Sequence, residues 1–171
     1  GQLRVLWSQK DAHAGVITRV LFGVGMACGV VYSAARDHVV RLWSLKNGDL
    51  VGSLNFHTEK VVDVCQSPDG RFFVSASADD SILVYDVSDE YRVVMRVECG
   101  EEPSCLAIVN NMVCCGFCSG GIRFWPLPSL GIHYVSPVCY KQHRVQLQKR
   151  NRSPERRCCC RRRRWPIASF P

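Results

Sequence analysis

Three stretches of this chain end alike at nearly even intervals, and that repetition restricts the fold more than any other feature. The first reads SAARDHVVRLW (33–43), the second SASADDSILVY (75–85) and the third CGFCSGGIRFW (115–125). The first two place a Ser four residues before an Asp, followed by a five-residue alternating segment that closes on an aromatic. The third keeps the segment and the aromatic. Residues 3–7, LRVLW, carry the same ending with nothing before it. The aromatic anchors Trp7, Trp43, Tyr85 and Trp125 stand 36, 42 and 40 residues apart. A period of about forty residues marks an array of like units, so the unit has to be read before any single motif.

Each unit reads as short strands. Residues 16–21 and 61–65 are apolar and rich in β-branched side chains, which favour extended backbone. SPDG (67–70) is a turn, in which Pro presets φ and Gly supplies a positive φ, and residues 71–75 then climb again. The Asp-containing tight turn, the strand to the aromatic and a further turn (LKNGDL or VSDEY) follow, with a fourth strand expected over 50–54 and 93–97. Four antiparallel strands per repeat make a propeller blade. Alternation at 39–43 and 122–125 sets Arg41 and Arg123 on a more polar face, with the apolar residues buried between blades.

Charge divides the chain. Of 171 residues, 47% are apolar and 22% charged, a globular composition with no run near the 18 or so apolar residues that a membrane-spanning helix needs. Residues 1–130 carry 11 Lys/Arg against 14 Asp/Glu, whereas residues 131–171 carry 11 against one, so the net charge of +7 resides in the C-terminal stretch. Two regions are therefore expected: a mildly acidic repeat body over 1–130 and a basic, Cys/Arg-rich, disordered tail over 131–171. The opening residues GQLRVLWSQK show no basic start followed by an apolar run, and the 11 cysteines are odd in number, with Cys158, Cys159 and Cys160 adjacent. Reduced thiols in a cytoplasmic or nuclear protein are expected.

The ordered placing of His, Ser, Asp and aromatic resembles the WD-repeat β-propeller family. His13 precedes Trp43 by 30 residues and His57 precedes Tyr85 by 28. The resemblance covers residues 2–128. It implies an all-β fold, an incomplete propeller of about three four-stranded antiparallel blades. It also implies a hydrogen-bonded line through each blade: Trp43, Ser33, His13 and Asp37 in the first, and Tyr85, Ser75, His57 and Asp79 in the second, with Asp86 completing an aromatic-Asp pair. The first repeat ends Trp43-Ser44 and the third Trp125-Pro126, and the third has no His and places Cys115 and Ser119 at the Ser and Asp positions. Its polar line is expected to be degenerate. Propellers close with four to eight blades, and three leave apolar faces uncovered. The chain thus reads as a fragment or truncated variant of a larger WD-repeat protein.

In the family, the implied role is a non-catalytic scaffold whose exposed loops bind other proteins. The face bearing the Asp turns and the His loops maps here to Arg36, Lys60 and Ala78, where Arg36 and Lys60 suit an acidic partner. No partner is identified by the sequence. His13 with Asp37 and His57 with Asp79 each form half of a catalytic triad, but their recurrence in register reads as structural, and no catalytic residue is assigned. Cys115-x-x-Cys118 followed by Cys139-x-x-x-His143 has zinc-like spacing, yet the repeat itself explains Cys115 and Cys118, so no metal and no cofactor are expected. The run KRNRSPERRCCCRRRR (149–164) allows nuclear import, palmitoylation at a membrane, or nucleic-acid contact through Arg161, Arg162, Arg163 and Arg164, against a solvated stretch of like charges. Two alternatives to the scaffold stay open: a nucleic-acid-associated or nuclear-targeted protein acting through that tail, and a truncated product with no independent function.

Overall fold

A computed structural model describes residues 4–109 and 111–128. They form eleven strands in three antiparallel sheets. The first sheet joins β1 (Ile17–Phe22), β2 (Val30–Ala35), β3 (Val40–Ser44) and β4 (Leu50–Leu54) in sequential order. The second joins β5 (Val61–Gln66), β6 (Phe72–Ser77), β7 (Ser81–Asp86) and β8 (Arg92–Glu98), again in order. The third joins β9 (Pro103–Val109), β10 (Met112–Phe117) and β11 (Ile122–Pro126). Short 3₁₀ turns at Gly25–Ala27 and Val87–Asp89 complete the regular structure.

The third sheet shows three strands among the described residues. In sheets one and two the outer strand begins seven residues after the aromatic, at Leu50 and at Arg92, and the counterpart after Trp125 falls outside the described residues. The LRVLW stretch is no strand where it is described: residues 4–9 pair with no neighbouring strand. Instead the Trp7 indole N–H donates to the Leu45 carbonyl at 3.0 Å, and the ring lies over Gly48. Only Trp7 is accommodated by that turn, while Val5 and Leu6 stay exposed. The expected basic tail (131–171), with Cys139, His143 and Arg161 to Arg164, also lies outside the described residues.

The sheets stack face to face through two apolar layers. Tyr32, Ala34, Val40 and Leu42 of sheet one pack against Val64, Phe73 and Tyr85 of sheet two. The other face of sheet two, with Phe72, Val74, Ala76, Ile82 and Val84, packs against Val113, Cys115, Phe117 and Trp125 of sheet three. Sheet two is thus covered on both sides, and every residue of β6 and β7 is buried. Full burial of one such Val or Ile side chain stabilises the fold by about 1.5–3 kcal/mol. First strands meet first strands, β1 on β5 and β5 on β9, so the sheets radiate from a common line.

Polar groups lock these layers in register. The Asp63 carboxylate of β5 accepts the Leu106 N–H of β9 at 2.8 Å and pairs with the Arg19 guanidinium of β1 at 3.4 Å, joining all three first strands. The Thr18 hydroxyl lies 2.8 Å from the Val61 carbonyl oxygen across the same boundary. Tyr32 stacks on Phe73 at 4.4 Å, and its hydroxyl meets that of Tyr91 at 2.8 Å. Burial, the nearby Tyr91 and their mutual hydrogen bond push the Tyr32 phenol well above its ordinary range, so this pair stays neutral.

Candidate interaction face and its polar supports

The tight turns between the second and third strands of each sheet lie at one end of the stack, and buried polar lines fix two of them. In sheet one the Trp43 indole N–H donates to the Ser33 hydroxyl oxygen at 2.7 Å, and that hydroxyl lies 2.6 Å from His13 Nε2. His13 Nδ1 stands 3.0 Å from both oxygens of Asp37. A carboxylate only accepts, so Nδ1 carries a proton; Ser33 then gives its own proton to Nε2 while accepting from Trp43. The Ala14 N–H at 3.0 Å and the Arg41 guanidinium at 3.1 Å complete the shell around Asp37. Arg41 also donates to the Ala12 carbonyl.

Sheet two repeats the arrangement with Tyr for Trp. Tyr85 OH lies 3.1 Å from Ser75 Oγ, Ser75 Oγ 2.7 Å from His57 Nε2, and His57 Nδ1 3.0 Å from Asp79 Oδ2. Asp79 accepts further bonds from the Thr58 N–H at 3.0 Å, the Ser81 N–H at 3.1 Å and the Ser81 hydroxyl at 2.6 Å. Burial alone would raise the Asp79 carboxyl, but the bonds from His57, Ser81 and Thr58 outweigh it and hold the group far below the usual carboxylate range. Asp37 is held low in the same way, burial opposing and His13 and the Ala14 N–H prevailing. Asp86 stands apart from this line. It caps the 3₁₀ turn through Ser88 and pairs with Arg71 at 3.2 Å.

A group whose folded pKa is depressed contributes stability above its unfolded pKa and loses it as the pH falls through the folded value. Melting temperature should therefore stay level near neutrality and drop progressively below about pH 4, the ordinary Asp range. An Asp79→Asn variant, already lacking the charge, should show a flatter acid limb in thermal melts between pH 6 and pH 3. An identical limb would remove Asp79 from the account.

Ser75, His57 and Asp79 also have the spacing of a hydrolase triad, so access decides what they can do. Ser75 is fully buried beneath Tyr85, and Ser33 is buried against Trp43. Each hydroxyl already spends its bonding capacity inside the sheet, leaving no approach for a substrate carbonyl. In sheet three the line is interrupted: Cys115 occupies the Ser position, and its thiol, pushed up to about 12 by burial and by the neighbouring Cys99 and Cys105, bonds backbone at Gly116 and Ser104. Cys118 is exposed, and among the described residues no group of His, Cys, Asp and Glu could hold a metal ion.

Equivalent backbone bonds align the three turns. The Arg36 N–H donates to the Val16 carbonyl, the Ala78 N–H to Lys60 and the Cys118 N–H to Glu102, at 2.9, 3.0 and 3.3 Å. Arg36 and Cys118 are exposed and Ala78 half-exposed on the same end, so Cys118 belongs to the set that the sequence named only through Arg36 and Ala78. Its membership was legible only from register. Lys60 is engaged rather than free: its ammonium pairs with Glu102 of the next sheet at 2.8 Å. Arg123 likewise ties sheets two and three, donating to the Cys99 carbonyl at 2.7 Å and to Glu101 at 2.5 Å.

Residues 48–86, which include His57, Ser75, Asp79 and Tyr85, match the family described as WD domain, G-beta repeat. Similar proteins include the nuclear distribution protein PAC1 of Arthroderma otae, 36% identical over 66 residues, or 39% of this chain and 14% of that protein. The ribosome biogenesis protein YTM1 of Laccaria bicolor is 26% identical over 125 residues, or 69% of this chain and 27% of that protein. The small ribosomal subunit protein RACK1y of Oryza sativa is 26% identical over 120 residues, or 70% of this chain and 35% of that protein. The chain spans about a third or less of the length of these relatives.

Proposed function

Because this chain carries WD repeats, we propose that it is a non-catalytic protein-interaction scaffold, one sector of a larger propeller assembly, whose partners dock on the end formed by the turns around Arg36, Ala78 and Cys118. The observation that carries this reading is the pair of buried polar lines beneath that end. Asp37 and Asp79 each pin a turn to a His loop through several bonds, so the surface is preorganised and loses little conformational freedom when a partner binds. A reducing compartment, cytosol or nucleus, suits the seven free cysteines of the described residues.

The test is a partner capture with cross-linking in which the chain is compared with an Arg36→Glu, Ala78→Glu double variant. Both positions lie on turns, so the melting temperature should change little while the cross-linked partners fall at least tenfold. Retention of every partner by the double variant would sink the proposal. So would binding that follows salt-sensitive nucleic-acid contact and disappears when residues 141–164 are deleted, since the basic stretch would then be the working part.

A further inference from the structure

Three faces correspond position by position and differ in whether a neighbouring sheet covers them. In sheet one Ala34 pairs with Val40 and Tyr32 with Leu42; in sheet two Ala76 pairs with Ile82 and Val74 with Val84; in sheet three Gly116 pairs with Ile122 and Cys114 with Phe124. Each has a small residue opposite a β-branched one, then a second pair of apolar residues. The first two faces are covered by the next sheet: Val40 and Ile82 are 0% exposed, and Leu42 and Val84 at most 1%. On sheet three Ile122 is 65% exposed and Phe124 58%.

What covers such a face is also on the page. Both covered faces meet the side of the following sheet that bears its aromatic anchor, Tyr85 or Trp125, and its first-strand residue, Val64 or Leu106. In sheet one the anchor Trp43 is buried but the first-strand part of that side is open: Val20, paired with Ser33 as Val64 is with Ser75, is 53% exposed where Val64 is 1%, and Phe22 beside it is 61% exposed. The segment before His13 leaves this patch bare, for Trp7 sits farther out over Gly48.

We propose that a second copy of this chain covers these faces, the bare face of sheet three in each copy seating on the Val20 and Phe22 side of sheet one in the other. The two contacts are equivalent and related by a two-fold axis, and with three sheets among the described residues of each chain two copies place six around the common line, within the number at which such rings close. The pairing continues the contact already made twice within the chain. The arginine-rich run at 149–164 is a poorer occupant, because the Ile122 and Phe124 face offers no carboxylate to meet it. This inference is independent of which partner docks on the turns.

Sedimentation equilibrium of the full 171-residue chain tests it. The mass should level at twice that of the monomer, and Phe124→Asp and Val20→Asp should each weaken association at least tenfold. Both side chains are exposed in the single chain, so a cooperative melt will show each variant folded. Mixing the two variants should restore a dimer, because a mixed pair keeps one unaltered interface. A monomer at all concentrations, as when residues 129–171 or another protein fill the face, would overturn the proposal. So would mass that climbs without a plateau, or a dimer lost in Phe124→Asp and untouched by Val20→Asp.

Discussion

Asp79→Ala is expected to lower the stability of the chain by about 2–4 kcal/mol, the range for removing a buried carboxylate that accepts several hydrogen bonds. The carboxylate side chain is 6% exposed, and its loss strips partners from His57 Nδ1, the Thr58 N–H and the Ser81 N–H together. The Ser81 hydroxyl, 3.4 Å from His57 Nδ1, is a longer substitute for that one partner, and the exposed Thr58 N–H can turn to water, so the loss falls mainly on the buried His57 and Ser81. For a folded part of this size, the melting temperature should fall by about 10 °C. Asp79→Asn, which keeps one acceptor oxygen, should lie between the two. A thermal melt of Asp79→Ala that overlays the parent would show that the polar line holds nothing together. Ser75→Ala should be milder, since the ring stacking around Tyr85 remains.

Gly70→Ala is expected to destabilise by about 3 kcal/mol or more, for a reason that Gly29→Ala isolates. Both glycines have positive φ, +76° and +91°, where a side chain is disfavoured by about 1 kcal/mol. A Cβ on Gly29 would meet nothing within 4 Å, whereas one on Gly70 would stand 1.9 Å from the Val24 carbonyl oxygen and 2.7 Å from the Met26 nitrogen. Those atoms belong to the loop of sheet one that grips the SPDG turn of sheet two, where Met26 N–H donates to the Asp69 carbonyl and Val24 N–H to Gln66. Backbone on both sides leaves little to yield. Equal losses for the two variants in denaturant unfolding would mean that only φ matters and that the loop is not wedged against the turn.

These two substitutions mark how far the sequence could be read. Asp79 was legible because its repeat resembles the WD-repeat family, and the resemblance implies the line in which His57, Ser75, Asp79 and Tyr85 stand in the structure. Gly70 was legible as a turn glycine, but nothing local told that Val24 of the previous sheet would press upon it. Asp63 was missed altogether, although its carboxylate joins three first strands, because its partners lie 43 and 44 positions away and follow no motif. Lys60 was read as a charge awaiting an acidic partner, and Glu102 of the adjoining sheet supplies one. Trp7 was read as the end of a strand, yet it serves as a wedge over Gly48.

The sequence by itself determined the strand period and the positions of the turns, and its resemblance to the WD-repeat family implied the members of the two polar lines. All of these rest on side chains no more than about one repeat apart, where φ preferences and alternation act locally and recur. Only the tertiary structure decided which face of each sheet meets which, which charges neutralise one another across a boundary, and that Ile122, Phe124 and Val20 lie open while Val40, Ile82, Leu42, Val84 and Val64 are sealed. The reason is that burial belongs to the stack and not to the strand. Identical apolar positions read the same in the chain whether or not a neighbouring sheet stands over them.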